Sequence, residues 1–108
     1  MNKPIFVKSL SKIVKNFDIF IIDQWGVMHD GNRGYDHAIK CINKLFQLNK
    51  KLIIISNSSR MTQDTIKNLG KLGFNKKIFF KVITSGQMIW EELKKPTFKW
   101  SKKLGNNC

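Results

Sequence analysis

The chain has 108 residues and a net charge of +13, long enough for one domain with a core and too short for a multidomain enzyme. Its longest apolar runs, Ile19 to Ile22 and Leu52 to Ile55, fall far below the ~20 residues that cross a bilayer, so no membrane partner is expected. The cations are eighteen lysines and two arginines scattered along the chain; arginine is the residue favoured for bidentate phosphate and base-edge readout, so nucleic-acid binding is not expected.

The start, Met1 to Lys8, lacks the apolar h-region of a secretory signal, and a cytoplasmic location is expected. A short amphipathic helix follows, with Leu10, Ile13 and Val14 at i, i+3, i+4 behind a candidate Ser9 cap. Phe17 to Asp23 is an apolar run rich in β-formers and reads as a strand buried on both faces. The segment Gln24 to Gly34 holds three glycines and reads as a loop or tight hairpin. From Asp36, residues Ala38, Cys41, Ile42, Leu45 and Phe46 form one helical stripe. Cys41 is expected to be a core thiol, and it shares no metal or redox spacing with Cys108.

Lys51 to Ser56 predicts a second buried strand, followed by the polar turn Asn57-Ser58-Ser59-Arg60. A helix from Thr62 uses Ile66, Leu69 and Leu72 and stops at Gly73. Phe79 to Thr84 predicts a third strand, and Ser85 is the expected cap of a third helix that runs to Lys94 and ends at Pro96. Thr97 to Cys108 reads as basic and irregular. This alternation implies βαβ units around a parallel sheet.

In open parallel sheets ligands bind beyond the carboxyl ends of the strands. Those ends carry Asp23, then Ser56-Asn57-Ser58-Ser59, then Thr84-Ser85-Gly86, a carboxylate and two hydroxyl clusters on one rim. A carboxylate can ligate Mg²⁺ or attack phosphorus, and hydroxyls with free N–H groups can hold phosphate oxygens. Other readings stay open. Asp23 can cap the loop after its strand, and Ser56 and Ser58 can satisfy turn N–H groups. Arg60 begins a helix region near the rim, where it can contact phosphate. His29 and His37 read as surface residues, and Trp25 and Trp90 as packing residues, with Trp25 near enough to Asp23 to wall the site.

The stretches Ile21-Ile22-Asp23-Gln24-Trp25-Gly26-Val27, Leu52 to Arg60 and Val82 to Gly86, in that order, resemble the haloacid dehalogenase superfamily. Its first signature is a strand followed by Asp-x-Asp-Gly-(Thr or Val), and its second an apolar strand ending in Ser or Thr. Asp30-Gly31 and the helix from Asp36 resemble the class IIA branch, which includes p-nitrophenylphosphatase-like and nucleotide-phosphatase-like members.

The resemblance implies a Rossmann-like three-layer α/β/α core, of which residues 1–108 would be the N-terminal half, with about three parallel strands, the cap domain and the rest of the core being absent. It implies Mg²⁺-dependent hydrolysis of the phosphate ester of a small metabolite through an aspartyl-phosphate, in a truncated or weakly active form; the alternative is a non-catalytic module acting through a partner. Carried over, Asp23 is the nucleophile and a Mg²⁺ ligand, Trp25 offers its backbone carbonyl to the metal, and Ser56 with Asn57 binds the phosphoryl group. The family has a carboxylate at the position of Trp25, where it serves as general acid and base. A sheet ending at its third strand also has an open edge, through which self-association is expected.

Overall fold

The computed structural model describes residues 3–105; Cys108 lies outside them. Three parallel strands, β1 (Ile19–Ile22), β2 (Lys51–Ser56) and β3 (Phe79–Thr84), form one sheet in the order β1-β2-β3. Helices α1 (Asp36–Gln47) and α2 (Thr62–Lys71) make the two crossovers, and α3 (Ser85–Lys94) and α4 (Lys99–Leu104) follow. This is the expected Rossmann-type α/β arrangement of parallel strands with flanking helices.

The register sets the faces. Ile22 pairs with Ile54 and Ile54 with Val82, so these side chains point the same way. With Leu52 and Phe20 they meet Ala38, Ile42 and Leu45 of α1 and Leu69 and Leu72 at the end of α2 in a single core. Successive crossovers of one hand bring α1 and α2 to that same face. The opposite face carries Ile19, Ile21 and Ile55, all exposed, with Ile21 at 65%. The expectation that the first strand is buried on both faces is therefore corrected: its continuous apolar run supplies two apolar faces, but helices cover only one of them.

Several local expectations change for identifiable reasons. The first helix is two short 3₁₀ turns, Leu10–Lys12 and Val14–Asn16, and the Ser9 side chain makes no cap bond. Only Val14 of those turns is buried. On α1 the stripe that meets the sheet is centred on Ala38, Ile42 and Leu45. Cys41 and Phe46 sit at its two margins and are exposed, so the core-thiol reading is wrong. The cap of α3 is Thr84, whose Oγ1 accepts the Gln87 N–H at 3.1 Å. Trp90 is half-exposed, with the Lys94 ammonium 4.7 Å from its ring centroid.

The closing segment contains α4 where irregular chain was expected. Its anchor is the buried Glu92 carboxylate of α3. Glu92 accepts hydrogen bonds from the Thr97 N–H at 2.6 Å, the Phe98 N–H at 2.8 Å, the Thr97 hydroxyl at 2.6 Å and the Ser101 hydroxyl. Burial alone raises the pKa of this carboxyl, but these donors favour the charged form more strongly and bring it down from 4.5 to about 2. A depressed folded-state pKa means that the anchorage is complete above about 4.5 and is lost as pH falls toward about 2. The Thr97 and Phe98 amide proton shifts are expected to titrate with a midpoint near 2, and Glu92→Gln should remove that transition. A midpoint at the ordinary glutamate value would show that the carboxylate does not hold α4.

Candidate active site

Parallel pairing brings the three strand ends to one rim, since Ile22 is level with Ile54 and Ser56 with Thr84. Asp23 follows β1 directly and its side chain is exposed. The Gln24 N–H donates to Asp23 Oδ1 at 2.8 Å, which orients the carboxylate. Ser56 ends β2 and is buried, while Asn57 beyond it is exposed.

The loops of the rim are held to one another. The Thr84 hydroxyl donates to the Arg60 carbonyl at 2.7 Å, and the Gly86 N–H to the Ser58 carbonyl at 3.0 Å. A Cβ on Gly86 would stand 2.0 Å from the Ser59 carbonyl oxygen. Only glycine lets the start of α3 come this close to the turn after β2.

After Asp23 the chain folds into a tight hairpin. Met28 N–H donates to the Gln24 carbonyl at 2.8 Å and Tyr35 N–H to the Met28 carbonyl at 2.9 Å. Met28, 1% exposed, pins this loop into the core. His29 is buried at 3%, correcting its reading as a surface residue; His37 is exposed and stacks on Tyr35 with centroids 5.5 Å apart. Burial lowers the His29 pKa below its usual value, against the pull of the Asp30 carboxylate.

Gln24 is the residue that sequence reasoning missed. It is buried, and its Nε2 donates to Ser56 Oγ at 2.7 Å while its Oε1 faces His29 Nε2 at 3.4 Å. Strand alternation carried the signal, since Phe20, Ile22 and Gln24 fall on one face at period two. Trp25, expected to pack, is instead 66% exposed. Its indole is the nearest group to Gly31, 3.5 Å from where a Cβ there would lie.

A cleft of about 340 Å³ opens between this hairpin and the turn after β2, lined by Gln24, Trp25, His29, Ser56, Asn57 and Arg60 among others. Asp23 is one residue outside that lining. A larger depression of about 600 Å³ between α2, β3 and α3 includes neither Asp23 nor Ser56. Arg60 gives the cleft a cation, and none of its lining residues is a carboxylate, a balance that suits an anion.

For Mg²⁺ the rim offers the exposed Asp23 carboxylate, with the Trp25 backbone two residues further along the chain. Among the described residues no three His, Cys, Asp or Glu side chains converge as a ligand group. This donor set fits a cation held by one carboxylate, its own waters and a substrate phosphate, which is a common arrangement for Mg²⁺. It does not fit a closed protein cage.

Comparison with known proteins agrees with the geometry. A family model described as haloacid dehalogenase-like hydrolase matches residues 20–104. The fold is similar to the crystal structure of a hydrolase of the haloacid dehalogenase-like family from Brucella suis 1330, with 25% identity and a TM-score of 0.73 over 84% of this chain and 34% of that one. The chain thus spans about a third of the length of that structure. No curated protein matches the sequence.

Proposed function

Because the chain belongs to the haloacid dehalogenase-like hydrolases, we propose that it carries the nucleophile and phosphate-holding part of a Mg²⁺-dependent phosphate-ester hydrolase acting on a small phosphorylated metabolite. The observation that carries this reading is the exposed Asp23 carboxylate at the end of β1, tied through Gln24 to the Ser56 hydroxyl at the end of β2. In the proposed reaction a carboxylate oxygen of Asp23 attacks phosphorus and the ester P–O bond breaks. The leaving alkoxide takes its proton from water. A second water then attacks phosphorus, releasing inorganic phosphate and restoring the carboxylate. Ser56 and the Asn57 backbone hold the phosphoryl oxygens. Mg²⁺, held by Asp23 and the Trp25 carbonyl, would neutralise phosphoryl charge.

Trp25 favours a second reading, in which the rim binds phosphate without turnover, because indole N–H is a donor with no acid-base chemistry at neutral pH. The test is release of p-nitrophenol from p-nitrophenylphosphate by the purified chain. Mg²⁺-dependent release that disappears in Asp23→Asn is expected. Phosphate binding without release selects the second reading, and the absence of both removes the phosphate site altogether. We also propose that the open face of β1 and β2 pairs with a second copy, since Ile19, Ile21 and Ile55 leave an aliphatic patch uncovered beside an edge strand.

A further inference from the structure

We propose that Gln24 is a positioning residue that fixes the Ser56 hydroxyl as a hydrogen-bond donor toward the phosphate rim, with His29 setting the orientation of Gln24. The inference rests on the phosphate reading above and adds to it a device for presenting the donor.

The Gly31 N–H donates to His29 Nδ1 at 3.0 Å, so in the neutral imidazole the proton sits on Nε2. That Nε2 faces the Gln24 carboxamide at 3.4 Å, so the carboxamide oxygen belongs on the His29 side. Its NH₂ group is then directed at Ser56 Oγ, 2.7 Å away. Only this orientation of the carboxamide satisfies both neighbours.

Ser56 Oγ accepts a second N–H, from Ser58, at 3.2 Å. A hydroxyl has two acceptor positions and one hydrogen. Both acceptor positions are filled by N–H groups of the protein, so the hydrogen must point away from both. A freely turning hydroxyl would offer an anion a lone pair as readily as a hydrogen; this one is committed to donating. The side chain is buried, where an unspent donor is costly and an incoming phosphoryl oxygen satisfies it.

Two substitutions separate this role from simple packing. Gln24→Met keeps the length and removes both polar ends. Gln24→Glu keeps the shape but can only accept, which turns the Ser56 hydrogen inward. Binding of inorganic phosphate to the full chain in Mg²⁺ is expected to weaken about tenfold in each, the scale of one lost hydrogen bond to a charged group. Ser56→Ala should lose as much, and Gln24→Met added to Ser56→Ala should lose nothing more, because the two act on one hydrogen bond.

Ring nitrogen shifts in the ligand-free protein should place the His29 proton on Nε2. Additive losses in the double variant, wild-type affinity in both Gln24 variants, or a His29 proton on Nδ1 would each overturn the proposal. Wild-type protein that fails to bind phosphate removes the phosphate reading and with it the donor's target, whereas phosphate binding with the His29 proton on Nδ1 removes the positioning alone.

Discussion

Replacing Trp25 with aspartate is expected to raise the hydrolysis of an alkyl phosphate by ~10²–10⁴-fold, the usual contribution of general acid-base catalysis. The family resemblance puts a carboxylate at this position, two residues after Asp23, the proposed nucleophile, and there it would protonate the leaving oxygen and later activate water. Trp25 is 66% exposed and lines the cleft, so a shorter side chain fits there without opening the core. The gain should depend on the leaving group. An alkoxide needs a proton as it departs; p-nitrophenolate is already stable near neutral pH and should gain less in the step that forms the aspartyl-phosphate. Trp25→Asn is the control, with the same shape and no proton to exchange. Equal rates for the Asp and Asn variants on the alkyl ester would sink the acid-base assignment of this position.

How far the sequence reveals the molecule depends on the range over which each feature is determined. The strands β2 and β3 and the helix α2 were legible because apolar runs there are bounded by polar turns, and Gly73 closes α2 with a positive φ of 95°. The shared rim of Asp23 and Ser56 was legible because parallel pairing brings strand ends to one side of a sheet. The helix α4 was not legible. Its start is held by Glu92, five to nine residues earlier, and a basic segment with few apolar residues gives no periodicity of its own. His29 was missed because a glycine-rich hairpin has no period, so its burial emerges only once Met28 is seen seated in the core; Gln24 continues the period of two of β1 past its last residue, where a polar side chain reads as loop. The open face of β1 is a third case: Ile19 and Ile21 fit burial as well as Phe20 and Ile22 do, and only the placement of the helices tells them apart.

That asymmetry makes neighbouring residues of β2 behave oppositely. Ile54 is fully buried between Ile22 and Val82, whereas Ile55, on the other face, is 46% exposed. Ile54→Ala is expected to cost ~2–5 kcal/mol through lost burial and the cavity left behind, a large share of the ~5–15 kcal/mol that holds a domain of this kind together. In urea the unfolding midpoint should fall with its slope unchanged. Ile55→Lys should stay within about 0.5 kcal/mol of the wild type, as substitutions away from packed features do. Its effect belongs to the proposed association: a cation on the open face would have to be desolvated for a second copy to cover it. Sedimentation should therefore show weaker self-association for Ile55→Lys at near-constant stability. Should Ile55→Lys unfold as readily as Ile54→Ala, the second face would have to be covered within the chain itself, and the site's rim would be supported from both sides of the sheet.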